Sequence, residues 1–367
     1  MIKASMNIVY IFADSPAEMN TSIWRCFIPE RVLREHGHNT SSFHYTDFTV
    51  NGEAVQKACN ESDIIIIERN LFGDVLTLMQ YWKSRGKVVC ANFDDAYGLM
   101  PPEVSTYRFW VENKNAVTND KGEERLVDIY PRPIKQLTWG VQMASATFLP
   151  SKQLVKDWKD VGNPVYLPNY YDEKLFENIK LTTHKGLIIG WGGSLSHLQS
   201  FKDSGIIRAI ENIVAKRDDV RLMICGDKRV YESFSLPENK KLYQSYVPFE
   251  TWPSIIERID IALVPLCGEY DQRRSWIKPL EFMRMGKPFI ASDNDAYEQF
   301  RGVGIGKYVK NTYLDWKRAI NEYVDNYAMV KDQAQQYIEY AKKFAMQNNV
   351  DKVIATYKKV IEEEHAK

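Results

Sequence analysis

The sequence predicts two α/β domains in series, each a parallel sheet wound with helices on both faces, and three observations lead to this. A chain of 367 residues is longer than one ordinary core and suits about two domains of common size. Short apolar runs alternate with longer stretches of helical spacing along nearly the whole chain. That rhythm breaks once, over residues 168–185, and then restarts. With 44% hydrophobic and 26% charged residues, the composition is that of a globular chain.

In the first half, residues 7–13 (NIVYIFA) read as a buried strand, and residues 29–36 carry helical spacing up to Gly37, a natural helix stop. A second strand is expected over 38–44. Residues 63–68 (DIIIIE) have the unbroken apolar character of a strand inside a parallel sheet. A helix over 75–85 closes at Gly86, and 87–93 (KVVCANF) gives the next strand. A helix over 134–144, a short strand over 146–149, a helix from Ser151 and a last strand over 165–167 complete this half.

The break at 168–185 is polar, with Pro, Asn and Asp early and no sustained strand, so the domain link is placed there. Strands then follow at 187–191, 220–226, 259–265 and 288–292, with helices at 201–217, 250–258 and 277–285. From residue 314 the chain is largely helical, ending in a helix over 349–364. The expected organisation is a Rossmann-like domain over 1–168, a second over 185–345, and a closing segment over 346–367. Two such domains leave a cleft between the carboxyl ends of their sheets, where these folds bind ligands.

Lys plus Arg equals Asp plus Glu at 48 each, a net charge of zero that weighs against broad nucleic-acid binding while leaving room for a local basic groove. The five cysteines are scattered without Cys-x-x-Cys spacing, which suits buried thiols in a reducing compartment and argues against a metal site. No apolar run approaches the ~20 residues of a membrane helix. Residues 1–10 lack the order of a signal peptide, so a cytoplasmic chain is expected.

The most informative segment is 273–293, RRSWIKPLEFMRMGKPFIASD. A basic loop leads into a short helix carrying Lys278 and Glu281 on one face, and Gly286 closes it before a buried strand. Backbone N–H groups at a helix start favour anions, and Lys or Arg adds charge-assisted contacts to a diphosphate. A carboxylate one turn along can accept both hydroxyls of a ribose. The same spacing also fits a plain salt bridge on a surface helix.

These residues, Lys278-Pro-Leu-Glu281 through Gly286-Lys-Pro-Phe-Ile-Ala-Ser292-Asp293, resemble the donor-site signature of retaining glycosyltransferases of the GT-B fold. The resemblance extends over most of the chain. Leu167-Pro-Asn169-Tyr-Tyr-Asp172 is similar to the family's link between domains, and Ile189-Gly-Trp191-Gly-Gly193-Ser194-x-x-His197 to its glycine-rich loop. Gly226-Asp227 falls where the family has a strand end facing the nucleotide, and the terminal helix matches one that crosses back onto the first domain. One departure stands out: where the family carries a Glu eight residues before Glu281, this chain has Arg273. A subgroup with a basic residue there, followed by Ser-x-x-Lys-x-x-Glu, resembles it better.

Gly192 and Gly193 permit close backbone approach to phosphate and Ser194 can cap the following helix, although a tight strand-to-helix turn needs the same residues. Asp94 and Asp95 directly follow a strand; one can orient an acceptor hydroxyl or act as a base, while the other caps the next turn. Trp24 and Arg25 lie in the loop after the first strand, where Arg25 either meets an anionic acceptor or donor phosphate or pairs with a carboxylate. None of the six histidines is a catalytic candidate by spacing. The aromatic, proline-rich stretch 92–110 reads as a packed loop or an acceptor-side lid.

The expected activity is transfer of a hexose from a UDP- or GDP-sugar to an acceptor hydroxyl, with retention implied by the resemblance. Arg273, Lys278 and the Gly192–Gly193–Ser194 loop would stabilise the departing diphosphate, Asp227 would lie beside the nucleotide, Glu281 would hold the ribose, and Asp94 or Asp95 would face the acceptor. No cofactor and no metal are expected, because the resemblance implies a metal-independent transfer with the nucleotide sugar as co-substrate. A glycan or lipid-linked saccharide is the default acceptor. A DNA base, as in phage glycosyltransferases, and a non-catalytic nucleotide-sugar-binding subunit are the alternatives.

Overall fold

The computed structural model describes residues 5–14 and 21–367. Residues 1–4, part of the stretch read for a targeting segment and of the first expected domain, lie outside it, as do residues 15–20. Its frame is two six-stranded, wholly parallel sheets, the expected fold class.

The first sheet is built from β1 (Asn7–Phe12), β2 (Asn39–His44), β3 (Ile64–Glu68) and β4 (Val88–Asn92). A separate antiparallel hairpin follows, β5 (Lys114–Thr118) with β6 (Glu124–Asp128), before β7 (Thr147–Leu149) and β8 (Pro164–Tyr166) complete the sheet. Its order is β2-β1-β3-β4-β7-β8. β3 is buried along its whole length, as its unbroken isoleucines require of a strand covered on both faces. Alternation divides the side chains between two cores. Ile8, Tyr10, Ile64, Ile66 and Cys90 join the core that also holds the terminal helix, while Val9, Ile11, Ile65, Ile67 and Ala91 pack beneath Met79, Trp82 and Trp110.

The second sheet contains β9 (Leu187–Gly193), β10 (Val220–Gly226), β11 (Lys241–Gln244), β12 (Ile261–Val264), β13 (Phe289–Ser292) and β14 (Lys307–Val309). Its order, β11-β10-β9-β12-β13-β14, is that of a doubly wound dinucleotide-binding sheet, with the strand order reversing between β9 and β12. The helix expected over 201–217 is two helices, Leu198–Asp203 and Ile206–Lys216. Gly205 separates them at φ +79°, with room for no side chain against the Tyr313 backbone. Between β8 and β9 the chain holds only the turn Glu173–Phe176.

The terminal helix Val350–His365 returns to the first sheet. Tyr357 meets the Tyr10 hydroxyl at 3.2 Å and lies 5.2 Å from the Phe148 ring, and Glu364 pairs with Lys83. The five cysteines are free thiols, four of them buried. Among the described residues no helix is long and apolar enough to cross a membrane.

Candidate active site

In an open α/β sheet a ligand sits outside the carboxyl ends of the strands, where their order reverses. In the second sheet that crevice lies between the loop after β9, Ser194 to His197, and the loop after β12, which runs to the helix Ile277–Arg284. A cationic cluster fills it. Arg274 is anchored by Asp271 through Nε at 2.9 Å, its Nη1 lies 3.2 Å from His197 Nε2, and its guanidinium stacks 4.7 Å from the Tyr270 ring centre. Asp271, 2% exposed, also accepts from Cys267 N–H at 2.7 Å and from the Ser200 hydroxyl, so the arm that aims Arg274 is rigid. Burial, with the Arg274 and Lys278 charges beside it, drives the His197 imidazole well below its ordinary pKa, so it stays neutral at physiological pH.

Lys278 lies 3.4 Å from Glu281 Oε2 and 5.3 Å above the Trp252 ring. The contact is the predicted three-residue pair, yet it is no surface bridge, because Glu281 is 2% exposed. Burial pushes the Glu281 carboxyl up, while Lys278 and the Trp252 indole pull it back. Lys278 keeps 24% of its side-chain surface and is the accessible cation of the pair.

The glycines here have a packing reason that sequence reading did not anticipate. Gly192 and Gly193 belong to β9 rather than to a turn. A Cβ on Gly192 would lie 2.2 Å from the Trp252 ring, and one on Gly193 would lie 2.7 Å from the Trp191 ring. The bareness of Gly192 therefore admits the indole on which Lys278 rests. Ser194 occupies the cap position but bonds the Ser196 hydroxyl at 2.8 Å and caps nothing. Asp227 caps the helix Lys228–Glu232 and forms a two-point pair with Arg229, which hold its carboxylate below the ordinary range.

Two expectations need correction. Arg273 does not join Lys278 in the cationic cluster. It reaches across to the first lobe, with Nε 2.7 Å from Asp157 and Nη1 on the Glu269 carbonyl, while Ser151 bonds its carbonyl oxygen at 2.8 Å. Its neighbour Arg274 takes the inward position. Arg25, read as an acceptor- or phosphate-binding cation or as half of an ion pair, is 4% exposed with every donor engaged. It bonds Asn92, Asn169 and the carbonyls of Leu167 and Phe148, tying strand ends to the link between lobes. Its neighbour Trp24 packs edge-on against Phe249 of the second lobe at 5.4 Å.

The first sheet reverses its order between β1 and β3. Asp14, Glu68 and Arg69 meet there, with Asp94 and Asp95 just past β4. Tyr270 donates to Asp95 at 2.9 Å, so this crevice and the cationic one are joined across the cleft. The Asp94 carboxyl is pushed up to about 8, first by burial and then by the Asp95 charge. The stretch after it is a packed loop, with Tyr97 stacked on Trp110 at 4.5 Å. His197, Arg274, Asp271 and Tyr270 are the site residues that spacing missed. His197 had a signal in its place at the end of the glycine-rich segment, and Arg274 in the basic loop that opens 273–293, whereas Tyr270 and Asp271 had none.

Residues 188–326 match the family described as glycosyl transferases group 1. No curated protein sequence matches the chain. Among solved structures, Anabaena Alr3699/HepE in complex with UDP and glucose aligns at TM-score 0.62 and 13% identity, covering 96% of this chain and 100% of that one. Sucrose-phosphate synthase of Thermosynechococcus elongatus aligns at TM-score 0.61 and 11% identity, covering 96% and 98%. A Listeria monocytogenes protein described as a putative UDP-N-acetylglucosamine 2-epimerase aligns at TM-score 0.57 and 13% identity, covering 98% of each chain. At such identities the structural likeness speaks for the fold alone, and the fold serves more than one reaction. The fold is GT-B, and residues 188–326, within its second lobe, are similar to the glycosyl transferases group 1 family.

Proposed function

We propose that the protein transfers a hexose from a UDP- or GDP-sugar to an acceptor hydroxyl with retention of anomeric configuration. The observation that carries this is the cationic crevice between β9 and β12, where Arg274, Lys278 and the buried Glu281 converge beside the neutral His197. Lys278 and Arg274 hold the diphosphate and neutralise the charge that grows on it as the sugar leaves. Glu281, at the foot of Lys278, accepts the ribose hydroxyls. Residues 185–345 form the donor side, residues 1–168 the acceptor side, and residues 346–367 brace the latter. Asp94 or Asp95 faces the incoming hydroxyl. The structures with bound UDP and glucose, and the resemblance of the Lys278-x-x-Glu281 segment, support this reading. Transfer proceeds without a metal in this scheme, in a cytoplasmic setting and onto a glycan or lipid-linked saccharide.

The test is turnover. Wild-type protein is incubated with UDP- and GDP-hexoses and a panel of hydroxyl acceptors, following nucleoside diphosphate release and the anomeric proton of the product by NMR. The reading predicts release with one nucleotide series and a product of unchanged anomeric configuration. Inverted product would remove retention. Nucleotide-sugar binding without any transfer or hydrolysis would make the chain a binding subunit.

A further inference from the structure

Between the helices Tyr107–Trp110 and Pro133–Met143 the chain leaves the first sheet and makes the hairpin β5–β6, whose strands pair with each other and with no further described strand. Nearly all of it is exposed, Leu126 to 47% and Val117 to 39%. A two-stranded ribbon standing alone is marginal in water, and further strands are what stabilise it. Its open edges are templates for them.

The register decides which backbone groups each edge offers. Ile129 N–H donates to the Asn113 carbonyl at 2.7 Å, and Asn119 N–H to the Glu123 carbonyl at 3.0 Å. The pairs one step inside, Lys114 with Asp128 and Thr118 with Glu124, are therefore the ones that exchange no hydrogen bonds, and alternation adds Ala116 with Leu126. On β5 the N–H and C=O groups of Lys114, Ala116 and Thr118 thus point out of the hairpin. On β6 those of Glu124, Leu126 and Asp128 do.

Charge separates the two edges. Two copies paired antiparallel through β6, centred on Leu126, would set Glu124 against Asp128 of the second copy on either side, a like-charge opposition that destabilises a sheet. β5 carries only the charge of Lys114. Centred on Ala116, it sets Ala116 against Ala116 of the second copy and Lys114 against Thr118 of the second copy, and every outward group finds a partner. The rows across the joined sheet then match. Leu126 and Ala116 continue into Ala116 and Leu126 of the second copy. On either side of that row, Lys114 lies between Asp128 of its own hairpin and the Thr118–Glu124 pair of the second copy.

We infer that the protein forms a two-fold dimer through β5, the two hairpins joining into one sheet of four strands. The charged β6 strands become its outer edges and oppose further growth. This stands independently of the glycosyl-transfer reading, since the hairpin supplies no residue to either crevice.

Sedimentation velocity of the full chain over a range of concentrations tests it, with circular dichroism to verify that each variant is folded. The wild type should sediment as a dimer that gives way to monomer on dilution. Ala116→Pro removes an N–H that the hairpin itself does not use and should weaken self-association at least about tenfold. Thr118→Lys faces Glu124 within its own hairpin but Lys114 across the dimer, and should weaken association while sparing the hairpin. Leu126→Pro alters only the outer edge and should leave the dimer in place. A wild type that is monomeric at every concentration overturns the inference. So does a dimer that Ala116→Pro and Thr118→Lys both leave intact, which would place the contact elsewhere. A dimer lost with Leu126→Pro alone would place it on β6 and overturns the inference too.

Discussion

At the scale of single residues, the site turns on adjacent side chains that differ in where they point. Arg273 and Arg274 are neighbours in a basic loop, and nothing in their spacing distinguishes them. Asp271, three residues before Arg274, captures its Nε and directs it inward, leaving Arg273 for Asp157. A donor cation was therefore legible in the sequence while its identity was not, because the partner that decides lies in the fold. Arg25 teaches the same lesson in reverse, since its five donors all find acceptors that the first lobe brings together from distant segments. Arg25→Met should lower stability by at least about 3 kcal/mol by orphaning those acceptors, measurable by urea denaturation. Asp94 supplies a pH signature. Its folded pKa lies far above the unfolded value, so stability from its protonated form is complete at acid pH and drains away as pH rises through about 8. Thermal unfolding should thus show Asp94→Asn gaining on wild type as pH climbs from about 4 to about 8; a constant difference would mean the carboxyl is not buried as described.

At the scale of elements, most strands and helices were legible because each is a short apolar run or a clear 3.6-residue pattern closed by a glycine. The hairpin β5–β6 was not, because its residues are mostly exposed and carry no strand-like apolar pattern. β11 and β14 were missed for a similar reason: they are short, and only partly buried. Gly192 and Gly193 of β9 are expected to admit a phosphate and Gly226 of β10 to end a strand facing the nucleotide, but strand packing already demands all three. Gly226 sits at φ +112°, and a Cβ there would fall 2.1 Å from the Gly193 carbonyl oxygen. Gly226→Ala should consequently cost about 2 kcal/mol or more in equilibrium unfolding, through both strain and collision. Gly192→Ala should displace Trp252 and, with it, Lys278; a crystal structure or tryptophan fluorescence would report the shift, and an unmoved indole would contradict this packing.

At the scale of the molecule, two sheets present their strand ends to each other, and the chain's last helix locks onto the first sheet. Tyr357, 2% exposed, carries much of that lock through Tyr10 and Phe148. Truncation by Tyr357→Ala should lower stability by about 3–5 kcal/mol, as for other buried aromatic residues. The two-lobed architecture was legible from the broken rhythm at 168–185, whereas the bonds that span the cleft, Tyr270 to Asp95 and Arg273 to Asp157, join residues that no local pattern connects.

The central claim is that a nucleoside diphosphate binds the crevice between β9 and β12 on Arg274 and Lys278. Calorimetric titration of UDP and GDP into wild type, Lys278→Ala, Arg274→Ala and Arg273→Gln tests it most directly. The account predicts that one nucleotide binds the wild type, that loss of either inward cation weakens it roughly tenfold or more, and that Arg273→Gln leaves it unchanged. Equal affinity in folded Lys278→Ala and Arg274→Ala proteins, or a loss confined to Arg273→Gln, would contradict it.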